Sequence, residues 1–256
     1  EPLGRPLVIT SGDGSCPPFC CEFGVAPRTG RLLAVADENG VVSIVDTDCA
    51  STTAQRGSAG VMIELPSAHR CRWAAHRNAV FDIAWSRDDC ALLTASGDFS
   101  VRLWDVSSQQ CRATMKGHEG SVKSVCFSPG DAGGYTLASA SRDGNVFVWD
   151  TRAPQRPVVT MFELHSRPGA RVEVGAIAGV AYAPDGRTLV TAGANDGCVK
   201  VWDLRRAPTG KSKSGGAPWT PLWLSERSTP RRRRGGVLAE RVTPMHSLLA
   251  GEFDSA

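Results

Sequence analysis

Short alternations of apolar and polar residues, broken by turn residues, run along most of the chain. Residues 137–141 form one such run, an Asp-Gly turn follows at 142–145, and residues 146–150 alternate up to a Trp-Asp pair. Asp-Gly tolerates the positive φ angles of a tight hairpin, so this segment predicts two paired strands. A short apolar strand precedes each hairpin, as at 122–127, and another follows, as at 111–115. The pattern therefore predicts units of four short strands.

The hairpin recurs as a repeat. Three copies end in Trp-Asp and carry a turn Asp six residues before the Trp: Asp98 and Trp104, Asp143 and Trp149, Asp196 and Trp202. A degenerate copy comes first, with Asn39 in place of the turn Asp and Val45 in place of Trp. Successive copies lie 59, 45 and 53 residues apart, and the middle spacing equals that of a WD-repeat blade, about 40–45 residues.

Over roughly residues 16–205 the chain resembles the WD-repeat family, including a histidine dipeptide such as Gly117-His118 before each clear copy. The resemblance implies an all-β fold, an incomplete WD-repeat β-propeller with about four legible blades. Members of the family close about seven blades, so we expect a piece of a longer protein, less stable than a closed ring. We assign 1–15 to a leader of uncertain structure, the blades to about 16–60, 70–110, 111–160 and 161–205, and 206–256 to a disordered basic tail.

Each clear copy also repeats a His, a hydroxyl residue, an Asp and a Trp. Repetition argues against a catalytic triad, because an active site needs one copy. The resemblance implies instead a hydrogen-bond network inside each blade, which fixes the strand register because buried polar groups are costly unless paired. The predicted sets are His76, Thr94, Asp98 and Trp104; His118, Ser139, Asp143 and Trp149; and His165, Thr191, Asp196 and Trp202.

Two copies continue beyond Trp-Asp to an arginine. They read Trp149, Asp150, Thr151, Arg152 and Trp202, Asp203, Leu204, Arg205, whereas the copy before them has Ser107 at the arginine position. Because Trp ends a hairpin arm, an Arg three residues later leaves the sheet at one pole, and adjacent blades place two guanidinium groups side by side. Arginine forms bidentate pairs with carboxylates and carbonyls, which suits a protein-binding role. Two solvated surface arginines are the alternative interpretation.

Within the WD-repeat family, this doubled motif resembles substrate receptors that dock on the damaged-DNA-binding adaptor of cullin-4 RING ubiquitin ligases. Segments 17–20, 33–37 and 75–85 resemble the denticleless family of such receptors. The resemblance implies that the adaptor binds the two motifs. It also implies recruitment of replication and cell-cycle proteins, presented on the sliding clamp proliferating cell nuclear antigen, for ubiquitination and degradation. The implied location is the nucleus, with the cytoplasm and the centrosome as further locations.

The net charge of +3 is unevenly distributed. Residues 206–256 hold nine Lys or Arg against four Asp or Glu, so the remainder is slightly acidic. A nearly neutral propeller predicts no direct contact with nucleic acid. The run Arg231, Arg232, Arg233 and Arg234 is a candidate nuclear import signal, a non-specific phosphate contact, or part of a solvated tail. No apolar run reaches the ~18 residues that span a bilayer, so no membrane contact is expected.

Nine cysteines without a C-x-x-C pair predict reduced, buried thiols in the cytosol or nucleus. The alternative hypothesis is a zinc site at Cys16, Cys20 and Cys21, but the sequence lacks a second pair of ligands at the spacing of a zinc finger. We therefore expect neither a metal nor a cofactor.

The favoured function is thus an interaction module, the receptor of a cullin-4 ligase, which performs no chemistry itself. A WD-repeat scaffold in the nucleus without ligase association is the alternative, and nucleic-acid binding through the basic tail is a third class. An enzyme fits least, because the sequence has no phosphate-cradling glycine loop, no metal-ligand spacing and no unrepeated nucleophile with a base.

Overall fold

The computed structural model describes residues 7–10, 16–26, 31–47, 55–57, 60–64, 69–131, 133–165, 175–206 and 219–224. Within these ranges the chain is almost entirely β-structure, with four antiparallel sheets of four strands and one sheet of three. We call the four-stranded sheets blades 1 to 4. The predicted fold is confirmed: a WD-repeat β-propeller whose ring is incomplete. The described residues include no helix with the length and hydropathy of a membrane span.

The blades follow one another along the chain. Blade 1 contains β2 (Pro18–Phe23), β3 (Leu32–Asp37), β4 (Val41–Asp46) and β7 (His69–Ala74). Blade 2 contains β8 (Val80–Trp85), β9 (Ala91–Ser96), β10 (Ser100–Asp105) and β11 (Cys111–Lys116). Blade 3 contains β12 (Val122–Phe127), β13 (Thr136–Ser141), β14 (Val146–Asp150) and β15 (Val159–Met161). Blade 4 contains β16 (Ile177–Tyr182), β17 (Thr188–Gly193), β18 (Val199–Asp203) and β19 (Trp223–Leu224).

The last strands of blades 1, 2 and 4 lie beyond the predicted ends of these blades, and that of blade 3 passes its predicted end by one residue. The clearest case is β19, which pairs Leu224 with Lys200 and Trp223 with Val201. Trp219 packs against the apolar cluster between blades 3 and 4. The prediction of a disordered tail from residue 206 onward is therefore wrong for residues 219–224. A two-residue strand carries no alternation, so the sequence pattern could not reveal it.

The segment predicted as a leader also contributes a strand. β1 (Leu7–Thr10) pairs in parallel with β6 (Gly60–Glu64), which pairs antiparallel with β5 (Gln55–Gly57). These three strands form the small sheet, and they connect the start of the described chain to the long loop between β4 and β7.

Apolar side chains fill the space between successive blades. The cluster between blades 2 and 3 joins Leu93 and Val101 of one blade to Leu137 and Trp149 of the next. Trp149 is fully buried, and burial of such a side chain stabilises the fold by several kcal/mol, about 25 cal/mol for each Å² of apolar surface. Equivalent clusters join blade 1 to blade 2 and blade 3 to blade 4.

Polar side chains of the inner strands join neighbouring blades near the propeller axis. Asp82 of β8 accepts a hydrogen bond from the backbone N–H of Val125 in β12, at 2.9 Å. Ser124 of β12 likewise accepts one from the N–H of Val180 in β16, at 3.2 Å. These bonds fix the register between successive blades, since a shift would leave buried donors unpaired.

Candidate functional site

The predicted hydrogen-bond network is assembled in blade 3. His118 Nδ1 lies 2.9 Å from the Asp143 carboxylate, and His118 Nε2 lies 2.9 Å from Ser139 Oγ. The Trp149 indole N–H donates to the same Ser139 Oγ at 2.8 Å. This set of partners assigns the proton to Nδ1, which donates to the carboxylate, while Nε2 accepts from the hydroxyl.

Blades 2 and 4 repeat the network with threonine in place of serine. In blade 2 the distances are 2.9 Å for His76 to Asp98, 2.7 Å for His76 to Thr94 and 3.0 Å for Trp104 to Thr94. In blade 4 they are 2.8 Å for His165 to Asp196, 2.7 Å for His165 to Thr191 and 2.8 Å for Trp202 to Thr191. The sets are thus brought together in three successive blades, as a structural element rather than a single reactive centre.

The environment of each network favours a charged carboxylate, and in blade 4 it also favours a neutral imidazole. Burial, the largest single effect, raises the pKa of Asp143, but the hydrogen bond and electrostatic attraction of His118 and the backbone N–H groups of Asn145 and Glu119 together outweigh it, so the net shift is downward. Asp98 shifts downward for the same reasons, through His76 and Ser100. Burial lowers the pKa of His165 despite the opposing effect of Asp196. The imidazole can then accept from the threonine hydroxyl at neutral pH.

The two Trp-Asp-x-Arg motifs adopt the same geometry. Arg152 Nε donates to one Asp150 oxygen at 2.9 Å, and its Nη2 donates to the other at 2.6 Å. Arg205 holds Asp203 in the same way, at 2.9 and 2.8 Å. In both pairs the arginine side chain remains about two-thirds exposed, at 66% and 67%. Each arginine is thus paired with a carboxylate while most of its side chain stays exposed.

The carboxylates in these pairs stay ionised far below neutral pH. The side-chain hydrogen bond from Arg152 lowers the pKa of Asp150 to about 2. Arg205 has the same effect on Asp203, whose pKa is also about 2. Asp150 and Asp203 end the third strands of adjacent blades. Because equivalent strands run in the same direction, both arginines lie at one pole of the propeller.

Blades 1 and 2 carry corresponding pairs that the sequence motif does not reveal. Asp46 ends the third strand of blade 1 and accepts a hydrogen bond from Arg70 Nε at 3.1 Å. Asp105 ends the third strand of blade 2 and pairs with Arg112. Arg70 and Arg112 are both the second residue of a fourth strand, so their partner lies across the sheet rather than two residues earlier. We call the end of the propeller that carries Asp46, Asp105, Asp150 and Asp203 the Asp–Arg pole.

A cavity of about 370 Å³ opens at the Asp–Arg pole between blades 2 and 3. Arg87, Asp88 and Arg112 line it from blade 2, and Tyr135 and Arg152 line it from blade 3. The Arg152 guanidinium lies 4.8 Å from the centre of the Tyr135 ring. The motif arginine therefore borders a recess that mixes aromatic and charged groups, which is typical of an anchoring pocket in a protein interface.

The loops at this pole are packed against one another. Gly130 of blade 3 and Gly186 of blade 4 pass so closely that a Cβ on Gly186 would lie 2.7 Å from the Gly130 Cα. Gly186 also has a φ of +62°, which favours glycine. In blades 1 and 2, Asp89 accepts hydrogen bonds from the N–H groups of Val25 and Ala26. The pole is thus built on contacts between successive loops.

The described cysteines differ in how exposed they are to solvent. None of those in the described part of the chain forms a disulfide, and Cys198 is buried. Cys21, Cys90 and Cys111 are exposed, so the prediction of buried thiols is wrong for these three. In the zinc hypothesis Cys20 is a ligand, but its Sγ lies 3.9 Å from the Val80 carbonyl, and burial raises its pKa. Across the described ranges no three His, Cys, Asp or Glu residues converge on a metal position.

Two of the predicted features lie outside the described residues. They are Cys49 and the arginine run Arg231, Arg232, Arg233 and Arg234.

Comparisons with known proteins agree with the repeat. The family model described as "WD domain, G-beta repeat" matches residues 69–105, 109–150 and 163–203. The chain is 36% identical over 213 residues to the denticleless protein homolog of Gallus gallus, an alignment that covers 74% of this chain and 28% of that protein. The Homo sapiens denticleless protein homolog is 36% identical over 214 residues, with coverage of 74% and 27%.

A fungal relative shows the same relationship. The cell division cycle protein cdt2 of Schizosaccharomyces pombe is 32% identical over 209 residues, covering 75% of this chain and 40% of that protein. The chain thus spans between about a quarter and two-fifths of the length of these relatives. With its repeats, its blades and these alignments, the chain belongs to the WD-repeat family, in which its sequence is similar to the denticleless proteins.

Proposed function

We propose that this chain is the propeller part of a substrate receptor for a cullin-4 RING ubiquitin ligase. The Asp–Arg pole binds the damaged-DNA-binding adaptor of the ligase. The observation that carries this assignment is the shared geometry of Arg152 and Arg205, which are held by the same hydrogen bonds at equivalent positions of adjacent blades.

The ion pairs prepare both arginines for binding. Each guanidinium is fixed by a carboxylate two residues earlier, so little side-chain entropy is lost when a partner docks. A fixed guanidinium presents its remaining N–H groups in a defined direction, which suits carboxylates and backbone carbonyls of a protein partner. The cavity beside Arg152 supplies a recess for an anchoring side chain of the adaptor.

The receptor role extends to the proteins that the ligase modifies. Relatives named denticleless and cell division cycle protein support a role in replication and cell-cycle control. In this role the chain recruits replication and cell-cycle proteins that are presented on the sliding clamp in the nucleus. The chain is not an enzyme, because the cysteine that transfers ubiquitin belongs to another protein of the ligase.

Capture of the purified adaptor tests the assignment. The wild-type chain is expected to retain the adaptor, and the double variant Arg152→Ala with Arg205→Ala is expected to lose it. Arg77 and Lys116 are exposed at the opposite end of the propeller, so Arg77→Ala with Lys116→Ala is the matched control and should bind as wild type does. Equal capture by all three folded proteins would refute adaptor binding at this pole and leave a WD-repeat scaffold without ligase association.

A further inference from the structure

The end of the propeller opposite the Asp–Arg pole carries a row of three side chains near its axis. Phe19, Phe81 and Lys123 are each the second residue of an inner strand, in blades 1, 2 and 3. The Phe19 and Phe81 rings stack with centroids 5.6 Å apart and an interplanar angle of 18°. Lys123 Nζ lies 3.0 Å from the centre of the Phe81 ring. Phe19 is 43% exposed, so an apolar surface remains accessible at one end of the row.

The cation in this row has no acidic partner among the described residues. Lys123 makes a cation–π contact with Phe81, but it takes part in none of the salt bridges between described residues. Burial and the nearby Arg142 guanidinium both disfavour its charged form and lower its pKa. Val122 pairs with Ser141, so the exposed Arg142 lies on the strand beside the half-buried Lys123. A bound carboxylate would relieve this repulsion.

We propose that Phe19, Phe81, Lys123 and Arg142 form a binding site for a peptide segment in which a carboxylate side chain lies next to an apolar one. The carboxylate binds between Lys123 and Arg142, and the apolar side chain packs on the exposed part of Phe19. The site thus places positive charge next to exposed apolar surface, which complements a carboxylate next to an apolar side chain in the peptide. We assign this segment to a substrate of the ligase, and that assignment rests on the proposed function.

A protein segment fits this site better than a nucleic acid strand. The Phe81 ring stacks on Phe19, and Lys123 Nζ lies over the same ring. Phe81 therefore offers no open face on which a base could stack. The two cations, Lys123 and Arg142, match a single carboxylate, whereas a phosphate backbone needs an extended basic groove.

The location of the row separates the two binding events. The inner strands begin at the end of the blade where the third strands also begin, and the Asp–Arg pole lies where the third strands end. A peptide on the Phe19–Lys123 row therefore does not cover Arg152 or Arg205. An adaptor at one pole and a substrate at the other can be held at once.

Selection from a phage-displayed library of random heptapeptides on the immobilised 256-residue chain provides the probe. We expect enriched peptides to carry Asp or Glu within two positions of Leu, Ile, Met or Phe. Fluorescence anisotropy with the consensus peptide should then show binding weakened about tenfold or more by Lys123→Met, which keeps an apolar stem over Phe81 but removes the charge. Phe19→Ser should weaken it as well, and the exposed Lys116→Met is the matched control.

Two further measurements make the result decisive. Replacing the peptide's acidic residue by its amide should weaken binding to the wild type, and it should have little added effect on Lys123→Met, because both changes remove the same contact. No enriched motif, a motif without acids, or equal binding by Lys123→Met would overturn the site. Binding of a dT20 oligonucleotide that competes with the peptide would overturn the protein assignment. Adaptor capture by Lys123→Met should stay at the wild-type level, so a failure here is distinct from a failure of the proposed function.

Discussion

Arg112 reaches Asp105 from the neighbouring strand of blade 2 and forms there the ion pair that a motif arginine forms in blades 3 and 4. The same arrangement occurs in blade 1, where Arg70 reaches Asp46 from the fourth strand. An arginine on the last Asp of the third strand is thus a property of all four described blades. What distinguishes blades 3 and 4 is that the arginine projects from the chain two residues after the Asp.

The bidentate geometry of the motif arginines leads to the first prediction. Arg152→Lys with Arg205→Lys keeps both charges but cannot form the paired hydrogen bonds, so adaptor affinity should fall about tenfold or more. The thermal midpoint should change little, because exposed ion pairs add little to stability. Arg77→Lys, an exposed arginine at the opposite end of the propeller, is the control. Biolayer interferometry with purified adaptor measures the affinities, and an unchanged affinity of the double variant would contradict the role of the geometry.

The network of blade 3 leads to the second prediction. Asp143→Ala leaves the His118 Nδ1–H and the N–H of Glu119 without their acceptor, so the free energy of unfolding should fall by about 1–3 kcal/mol. Glu119→Ala removes an exposed acid beside the network and should have a much smaller effect. Urea unfolding monitored by tryptophan fluorescence gives both values. Equal midpoints for Asp143→Ala and the wild type would exclude a structural role for the network.

The buried His165 leads to the third prediction, on pH. Its folded pKa lies below the ordinary value because of burial, so the unfolded chain binds the proton more readily. Stability from this group is therefore complete above pH ~6.5 and is lost as the pH falls below that value. The lowered pKa values of Asp98, Asp143 and Asp196 predict a second loss below pH ~4. Urea midpoints between pH 8 and pH 3 check both, and stability that rises as the pH falls from 7 to 5 would contradict the sign.

The close loops of blades 3 and 4 lead to the fourth prediction. Gly186→Ala should destabilise the fold through both its positive φ and the approach of the new Cβ to Gly130. Gly197 has a similar φ of +65° but no atom within 4 Å of a built Cβ, so Gly197→Ala reports the backbone cost alone, about 1 kcal/mol. Thermal unfolding should place Gly186→Ala clearly below Gly197→Ala. Equal midpoints would show that the loops can separate without cost.

The arginine run outside the described residues leads to the fifth prediction. If Arg231, Arg232, Arg233 and Arg234 direct nuclear import, replacing all four with alanine should shift a fluorescent fusion of the chain from the nucleus to the cytoplasm. Lys211→Ala with Lys213→Ala lowers the charge of the same segment and is the control. Confocal imaging gives the ratio of nuclear to cytoplasmic signal, and an unchanged ratio would leave the run as a solvated tail.

Some contacts in the fold follow from the sequence repeat, and others do not. The repeat of Asp98, Asp143 and Asp196 six residues before Trp predicted the hairpins, and the resemblance to the WD-repeat family implied their networks. Arg70 and Arg112 carry no such signal, since their carboxylate partners are chosen by strand pairing. The strand that contains Trp223 could not be predicted from the sequence, because it has only two residues and follows a long insertion.

From the sequence alone came the repeat unit, the all-β class and the two arginine motifs, because these depend on local spacing and on the chemistry of hairpins. The resemblance to the WD-repeat family implied the partners within each network. The tertiary structure decided which residues meet between blades: the Asp–Arg pairs of blades 1 and 2, the cavity beside Arg152, the approach of Gly130 to Gly186 and the row from Phe19 to Lys123. Such contacts join residues far apart in the chain, and packing of whole blades sets their geometry, so no local pattern encodes them.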